Sequence, residues 1–409
     1  MKTSRRRRRP VRRAVVPLAA AALLAGIASA PLAQAATPAD GVVTLPPVNP
    51  AALQDAIAGL PTPDITAAVV GVTGRGGHWA GASGPADLST QRAASPVDRF
   101  RIGSVTKLFT AAVVLQLVAE HRVGLDVAVQ HYLPGILPAA YPTITVAQLL
   151  DHTSGLPRTA GAGDGEGDPA QFVQQRFGHP SPREVIGDLD GQPLVFAPGS
   201  AQQYNGINYF LLGLVIEKAG GRPYAEQVDE RILRPLRLAD TRVPAATDYR
   251  IPGPHLHGYL AVDDASGSSR LVDVTEQSPY PWAEGGMTSS VGDLGRFWTA
   301  LLAGRLLPPA QLQQMLTVPD VPYLGTDHCR LGPPGRACFG LGPERDVAGG
   351  VTLWGKTGSR PGYTDGVFAT TDLQRVIAYG FTPTGRRPDT SAFVLAIAAA
   401  ALGGTPPTT

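Results

Sequence analysis

Lysine, cysteine and long apolar stretches are all scarce in this sequence. Its 409 residues include four lysines and two cysteines, and beyond residue 35 no apolar run is long enough to span a bilayer. The G-x-S-x-G and H-E-x-x-H patterns are absent, and the eight histidines are scattered. These absences exclude the nucleophile elbow of one large hydrolase class and the helical zinc site of many metalloproteases. We therefore expect no metal ion, no other cofactor and no transmembrane helix in the mature chain.

The first 35 residues have the composition of a signal peptide. Residues 1–13 carry Lys2 and seven arginines without an acidic residue, residues 14–30 are mostly apolar, and the small-residue stretch Ala33-Gln34-Ala35 follows. These are the three regions of a secretory leader with its cleavage site. The apolar region is shorter than a bilayer span, which disfavours a retained membrane anchor. We expect export by the general or the twin-arginine route, cleavage, and a secreted mature protein.

The net charge of +2 belongs to that leader. Without the eight basic residues of 1–35, the chain has 27 Lys and Arg against 33 Asp and Glu, a net charge of −6. Surfaces that recognise nucleic acid are normally basic. We therefore expect no nucleic-acid partner.

The two cysteines, Cys329 and Cys338, lie nine residues apart around the turn-forming segment RLGPPGRA. In an exported protein, a disulfide that closes this turn is favoured. Two separate buried thiols are the alternative. Neither cysteine has the neighbours of a catalytic thiol in the sequence.

Strand-like and helical patterns divide the rest of the chain. Residues 36–49 are rich in proline and read as a flexible lead-in. The runs ITAAVVGVTG and GHWAGASG predict a β-hairpin, and further strand-like runs return near the C-terminus before the apolar helix SAFVLAIAAAALGG. Amphipathic helices and loops lie between these two groups of strands. We therefore expect an α/β sheet domain built from residues 50–115 and 281–409, with a mainly helical domain over 116–280.

The segment RFRIGSVTKLFTAAVVLQLVAE places Ser104 and Lys107 at the start of an apolar helix. Positions i and i+3 share a helix face, and a helix N-terminus favours developing negative charge. A desolvated lysine can take the proton of a serine hydroxyl, whereas an arginine stays protonated. Only three lysines follow the leader, against 24 arginines. Ser104 and Lys107 are thus a candidate nucleophile and base, although the motif alone also fits a helix cap beside a solvated lysine.

Two further segments strengthen the catalytic interpretation. GKTGSRPG follows the strand-like VTLW, so Lys356, Thr357 and Gly358 are expected at a sheet edge that a ligand can approach closely. The same residues fit the phosphate-loop pattern, but bulky β-forming residues and the lack of a following helix exclude that interpretation. Tyr204, in APGSAQQYNGINYFLLG, is expected on a tight loop before a helix, where its hydroxyl could relay a proton beside Lys107.

Five segments together resemble the serine penicillin-recognising hydrolases, most closely secreted D-alanyl-D-alanine carboxypeptidases and class C β-lactamases. They are DRFRIGSVTKLFTA, LLDHTSGL, FAPGSAQQYNGINYFLLG, WAEGGMTSS and WGKTGSRPGY, in the order found in that family. The resemblance covers about residue 50 to the C-terminal helix. It implies a mixed α/β (α+β) fold, in which an antiparallel β-sheet flanked by helices lies beside an all-helical domain, with the site between them.

The resemblance also implies residue roles. Ser104 would be the acylated nucleophile, Lys107 its base, and Tyr204 the proton relay toward the leaving amine. Lys356 and Thr357 would hold a substrate carboxylate. The backbone N–H groups of Ser104 and Ser359 would form the oxyanion hole. The remaining residues expected to bind substrate are Gly358, Ser359, Asn205 and Trp282.

One motif departs from the family pattern. The expected Tyr-x-Asn reads Tyr204-Asn205-Gly206, so the amide that would contact Lys107 is missing from its position. The expected activity is hydrolysis through an acyl-enzyme, with D-alanyl-D-alanine carboxypeptidase on peptidoglycan peptides as the first choice and β-lactamase or esterase as alternatives. A non-catalytic penicillin- or cell-wall-binding protein is the alternative of another class. The expected partners are a small peptide or β-lactam substrate and cell-wall peptidoglycan, and the expected state is a monomer.

Overall fold

The computed structural model describes one compact unit of the chain, within residues 44–409. The described residues are 44–159, 168–263, 268–326, 328–385 and 390–404. The predicted signal peptide, residues 1–35, lies outside them. The glycine- and polar-rich segments 161–168 and 263–269 are predicted to be loops, and most of each also lies outside the described residues.

The end of the predicted lead-in, residues 44–49, is extended and hydrogen-bonded. The Val48 N–H donates to the Gly76 carbonyl at 2.9 Å. The Leu45 N–H donates to the Gln374 side-chain oxygen at 3.0 Å. These bonds attach the segment to two turns between strands of the sheet. The remainder of the lead-in, residues 36–43, is outside the described residues.

The strands follow two sequence patterns: long buried runs near both ends of the chain and short pairs between them. They are β1 (Ile65–Thr73), β2 (Trp79–Ser83), β3 (Pro85–Asp87), β4 (Arg92–Ala93), β5 (Phe100–Arg101), β6 (Tyr259–Asp263), β7 (Ser269–Asp273), β8 (Thr288–Ser289), β9 (Glu344–Ala348), β10 (Val351–Arg360), β11 (Tyr363–Ala369) and β12 (Val376–Pro383).

Six of these strands form the central antiparallel sheet, in the order β2-β1-β12-β11-β10-β9. The N-terminal hairpin therefore joins the C-terminal strands, with Val70 opposite Tyr379. Strand β1 is buried along nearly its whole length, which explains its continuous apolar sequence. The mixed fold with an antiparallel sheet, expected from the sequence, is confirmed.

Helices cover the sheet and fill the middle of the chain. They are α1 (Pro50–Ala56), α2 (Thr106–Ala119), α3 (Val129–Tyr132), α4 (Val146–Leu150), α5 (Pro169–Gln175), α6 (Pro182–Gly187), α7 (Ile207–Gly220), α8 (Tyr224–Val228), α9 (Arg234–Leu236), α10 (Val291–Leu302), α11 (Pro309–Met315) and α12 (Ser391–Leu402). A π-helical turn, Asp229–Leu233, joins α8 to α9. No helix in these described parts is long and apolar enough to cross a membrane.

The two faces of the sheet have separate cores. On one face, α1 and α12 pack against β1 and β12 through buried residues such as Leu53, Ile397 and Phe381. On the other face, α10 packs on β1, β11 and β12. Full burial of one such aliphatic or aromatic side chain contributes about 1.5–3 kcal/mol. The apolar C-terminal helix is thus a sheet-covering element, as its length predicts.

Helix α2 lies in the larger of the two cores. It is apolar around its circumference and packs against α7, α8 and α11, so it is buried on nearly all sides. This core continues from the sheet into the helices of the middle region. The division into domains at 50–115, 116–280 and 281–409 stays a prediction. The structure does place a strand pair, β6 and β7, inside the range expected to be mainly helical.

Candidate active site

Ser104 and Lys107 meet at the start of α2. A 3₁₀ turn, Gly103–Val105, precedes the helix, and Lys107 Nζ donates to Ser104 Oγ at 2.9 Å. Gly103 has a positive φ of 41°, and a Cβ atom there would lie 2.6 Å from Ser359 N. Only glycine permits this approach, which brings Ser104 beside β10. The Lys107 side chain is fully buried, whereas Ser104 is half-buried.

Tyr204 completes a hydrogen-bonded group around the serine oxygen. Its hydroxyl donates to Ser104 Oγ at 2.7 Å. Two ammonium groups lie near its ring, with centroid distances of 5.0 Å to Lys107 Nζ and 4.8 Å to Lys356 Nζ. Cations near an aromatic ring are attracted to it electrostatically. The structure therefore brings Ser104, Lys107 and Tyr204 together, with Lys356 beside them.

His152 supports the tyrosine loop from behind. The ring is fully buried and packs against the Tyr204 ring at a centroid distance of 4.6 Å and a tilt of 45°. Burial, then the charges of Lys107 and Lys356, lower the pKa of His152 well below its usual value. The neutral ring accepts a hydrogen bond at Nδ1 from the Asn205 N–H at 3.2 Å. His152 thus positions the loop and is separated from Ser104 by the tyrosine.

Asn205 does not contribute its amide to the serine. Its Nδ2 donates to the carbonyls of Leu156 and Pro157, at 2.7 and 3.1 Å. Its Oδ1 accepts from the Ile207 N–H at 3.1 Å. Both ends of the buried amide therefore bind backbone and shape the turn before α7. The position after it is Gly206, which has no side chain to reach Lys107.

Strand β10 presents the Lys-Thr-Gly segment at an open edge. Its pairing with β9 ends at Gly355, opposite Glu344, so Lys356, Thr357, Gly358 and Ser359 lie beyond the partner strand. A Cβ atom on Gly358 would clash with the Ile102 carbonyl and the Asp365 carboxyl. The N–H of Thr357 points to the open edge, and Ser359, two residues later, has the same orientation. Ser359 N is thus directed toward the Gly103–Ser104 turn.

Glu284 is the residue of the site that the sequence interpretation missed. Its carboxylate Oε1 pairs directly with Lys107 Nζ, and its backbone carbonyl accepts from the same ammonium at 2.9 Å. The same Oε1 lies 3.5 Å from Ser104 Oγ. The ion pair is buried, since Glu284 has 6% of its side chain exposed. In the sequence it stands out only as an acid inside the apolar, glycine-rich segment WAEGG, which does not indicate its partner.

The Trp282 ring packs behind the site and anchors the turn that carries Glu284. This residue begins the 3₁₀ turn Trp282–Glu284, and its ring packs on α7, where a Cβ atom on Gly213 would lie 2.5 Å from it. The ring also contacts Tyr224 edge-on, at 5.2 Å. Its partners are therefore helices behind the site, and the structure does not bring it to Ser104.

A second buried acid, Glu344, occupies the far side of the site. Cys329 and Cys338 form a disulfide, with their Cα atoms 5.3 Å apart, in the loop that leads to this residue. His328 Nδ1 lies 3.1 Å from Glu344 Oε2. Burial would raise the pKa of Glu344, but Lys356 and His328 outweigh it and lower that pKa to about 2. The acid is therefore a carboxylate at neutral pH.

The arrangement can support nucleophilic catalysis. A serine oxygen is in contact with an ammonium, a phenol and a carboxylate, and the backbone N of Ser359 lies against the Gly103–Ser104 turn. Such a set can remove the serine proton, donate a proton to a leaving group and stabilise an oxyanion. Within the described ranges, no group of three or more His, Cys, Asp or Glu side chains could hold a metal ion.

Comparison with known proteins assigns the chain to a family. The profile of the family described as Beta-lactamase matches residues 53–401. The curated esterase EstB of Burkholderia gladioli is 32% identical over 248 residues, which is 54% of this chain and 62% of the relative. Penicillin-binding protein 4* of Bacillus subtilis is 28% identical over 53% of this chain and 48% of the relative. The chain thus spans about half the length of these curated relatives.

A solved structure matches over a greater length. The D-stereospecific amidohydrolase from Streptomyces sp. superposes with a TM-score of 0.74 and 31% identity, covering 87% of this chain and 99% of that one. The chain therefore belongs to the beta-lactamase family.

Proposed function

We propose that the protein is an amidohydrolase that cleaves a D-configured acyl amide through an acyl-enzyme on Ser104. The observation that carries the proposal is the contact of Ser104 Oγ with Lys107 Nζ at 2.9 Å and with the Tyr204 hydroxyl at 2.7 Å. The same oxygen faces Glu284, which makes the lysine and the acid a joint acceptor for one proton.

Acylation begins when Ser104 Oγ attacks the substrate carbonyl carbon. The serine proton passes to the Lys107–Glu284 pair, and the carbonyl oxygen becomes an oxyanion. The N–H groups of Ser104 and Ser359 stabilise that charge. Tyr204 then gives its hydroxyl proton to the leaving nitrogen, the carbon–nitrogen bond breaks, and the pair returns a proton to the tyrosine. The amine leaves and Ser104 carries the acyl group.

Hydrolysis of the ester follows the same path with water as the nucleophile. The Lys107–Glu284 pair takes a proton from the attacking water, and the bond between Ser104 Oγ and the acyl carbon breaks. The serine oxygen then recovers its proton from the pair. All protein groups end in their initial state. Glu284 lies close enough to Ser104 to serve this second half-reaction as well as the first.

The relative from Streptomyces supports the choice of a D-configured amide, since it is named a D-stereospecific amidohydrolase and aligns over 99% of its length. The D-alanyl-D-alanine carboxypeptidase expected from the sequence is the second candidate. The Lys356–Thr357–Gly358 edge favours it, because such an edge can hold a substrate carboxylate. The identity to esterase EstB favours short-chain esters as further substrates.

The experiment is a comparison of substrates with the purified mature protein. D- and L-phenylalaninamide, a D-Ala-D-Ala peptide, a 4-nitrophenyl ester and nitrocefin are assayed under identical conditions. The proposal predicts hydrolysis of the D-amide, little hydrolysis of the L-amide, and complete loss in Ser104→Ala. Cleavage of the peptide in preference to the D-amide would favour the carboxypeptidase. Rapid nitrocefin hydrolysis would indicate a β-lactamase. If no substrate is turned over and no Ser104 adduct forms, the protein would be a non-catalytic binding protein.

We also propose that the protein acts outside the cytoplasm, after removal of residues 1–35. The basic, apolar and small-residue regions of that segment support this, and so does the Cys329–Cys338 disulfide, which persists in oxidising compartments. Cell-wall peptidoglycan would then be an accessible source of D-configured substrates. N-terminal sequencing of protein recovered from the culture medium tests the cleavage site; a product that starts at Met1 would contradict it. The monomeric state stays a prediction, which light scattering would measure.

A further inference from the structure

Glu344 lies where β10 becomes an open edge. It is the first residue of β9 and pairs with Gly355, the last residue of β10 to have a partner on that side in the described part of the chain. Beyond this pair, the N–H groups of Thr357 and Ser359 point to the same edge. In the proposed mechanism, the Ser359 N–H stabilises the oxyanion. The Thr357 N–H is the next backbone donor that a bound substrate would meet along this edge.

The Glu344 carboxylate accepts hydrogen bonds from the donors of Thr357. The Thr357 N–H and the Thr357 hydroxyl both donate to its Oε1, each at 3.2 Å. The Lys356 ammonium is 3.9 Å from the same oxygen. These are the groups that would otherwise attract the carboxylate of a peptide substrate. The side chain is 4% exposed, so solvent screens its charge poorly.

The cationic side chains beside this edge are engaged by other protein groups, and His328 Nδ1 lies 3.1 Å from the second Glu344 oxygen. Lys107 is paired with Glu284, and Lys356 with Glu344. The next cation along β10, Arg360, donates to the Gln277 amide oxygen and to the Ser278 carbonyl. A second carboxylate brought beside Glu344 would therefore meet a like charge in a poorly screened environment.

We propose that Glu344 is a specificity-determining residue that selects against substrates with a free carboxylate on the leaving side. The selected substrates are esters and amides, including primary carboxamides, whose leaving group is neutral or positively charged. The inference rests on the proposed amidohydrolase function and deepens it. It also separates this site from one that hydrolyses peptides ending in a D-amino acid carboxylate.

The test uses two substrates that differ only in the terminal group, D-phenylalanyl-D-alanine and D-phenylalanyl-D-alaninamide. Release of D-phenylalanine gives kcat/KM for each at pH 8, and the ratio of the two values is the readout. The wild type should prefer the amide by about 10-fold or more, as expected for like charges near each other at a poorly screened site. Glu344→Gln keeps the acceptor oxygen and removes the charge, so the preference should fall at least about fivefold.

The matched control is Asp346→Asn, two residues further along β9. Asp346 pairs with Leu353, away from Thr357. Burial, then the charge of Glu344, raises its pKa. The variant changes an acid of the same strand away from the Thr357 donors, so it should keep the wild-type ratio. Circular dichroism and thermal melting establish that both variants are folded.

The possible outcomes distinguish a failure of the proposed Glu344 role from a failure of the amidohydrolase function. If the wild type cleaves both substrates equally or prefers the free carboxylate, the role of Glu344 is wrong, whether or not the variant folds. A folded Glu344→Gln with the wild-type ratio would overturn it too, as would an equal change in Asp346→Asn. If the wild type cleaves neither these dipeptides nor D-phenylalaninamide, the amidohydrolase function itself fails, and the inference fails with it.

Discussion

The buried pair of Lys107 and Glu284 makes a sharp energetic prediction. Replacing Glu284 by Gln leaves an ammonium inside the protein without its counter-ion, and replacing Lys107 by Met leaves the carboxylate alone. Replacing both removes both charges. The two single variants should therefore each be strongly destabilised, whereas the double variant should lose much less than the sum of the two.

The structure sets the expected size of this effect. The side chains are 0% and 6% exposed, so solvent cannot compensate for a missing partner. Breaking a buried ion pair costs about 3–5 kcal/mol. Lys107 would keep two neutral acceptors, Ser104 Oγ and the Glu284 carbonyl, both at 2.9 Å, so we expect about 3 kcal/mol for Glu284→Gln. The double-mutant cycle should give a coupling of about 2–3 kcal/mol.

Urea unfolding under non-reducing conditions, which retain the disulfide, measures the free energies of unfolding. The four proteins are the wild type, the two single variants and the double variant. The matched control is the exposed pair of Arg222 and Glu230, with 54% and 40% exposure. The cycle with Arg222→Met and Glu230→Gln should give less than about 1 kcal/mol. If the Lys107 and Glu284 effects add within about 0.5 kcal/mol, the pair is not coupled and the reasoning is refuted.

Three further predictions concern activity, pH and the disulfide. Tyr204→Phe keeps the ring and removes the proton donor, so kcat/KM for the amide should fall about 100- to 10,000-fold with unchanged circular dichroism; a loss below about threefold would contradict the relay. Burial raises the pKa of Asp365 well above its usual value, so folding favours the protonated acid and stability falls as pH rises above the unfolded value. The melting temperature of Asp365→Asn relative to wild type should therefore increase from pH 4 to pH 8, and a constant difference would refute this. Replacing both Cys329 and Cys338 by Ser opens a loop with a separation of nine residues and should lower the free energy of unfolding by about 2–3 kcal/mol; an unchanged urea midpoint would exclude that contribution.

Much of the fold could be predicted because its sheet and main helices have strong local patterns. The runs that became β1, β2, β10, β11 and β12 are mostly apolar or β-branched, and short glycine-containing or polar segments separate them. The β6–β7 pair was missed, because Tyr259–Asp263 and Ser269–Asp273 are short and lie in a largely polar part of the sequence. Their pairing depends on tertiary packing against β12 and α5 rather than on local sequence.

The site could be predicted only where a motif fixes both residue and spacing. Ser104 and Lys107 share a helix face, so their contact follows from their separation of three residues in the sequence. Glu284 contacts Lys107 across 177 residues, and no local pattern indicates such a pair. Glu344 reaches Thr357 because β9 pairs with β10 and ends there.

Side-chain direction was the other limit of the sequence interpretation. Asn205 and Trp282 belong to the expected motifs, but motifs do not say which way a side chain points. The Asn205 amide binds the backbone of its own loop, and the Trp282 ring turns toward α7. Trp282 has a positive φ of 54°, a backbone conformation that its sequence does not suggest.

The most direct test of the account is the identity of the acylated residue. The mature protein is mixed with the 4-nitrophenyl ester of D-phenylalanine, quenched with acid during turnover, and analysed by intact and peptide mass spectrometry. The account predicts one D-phenylalanyl group per chain, bound to Ser104. Turnover without an adduct, or an adduct on any other residue, would contradict it.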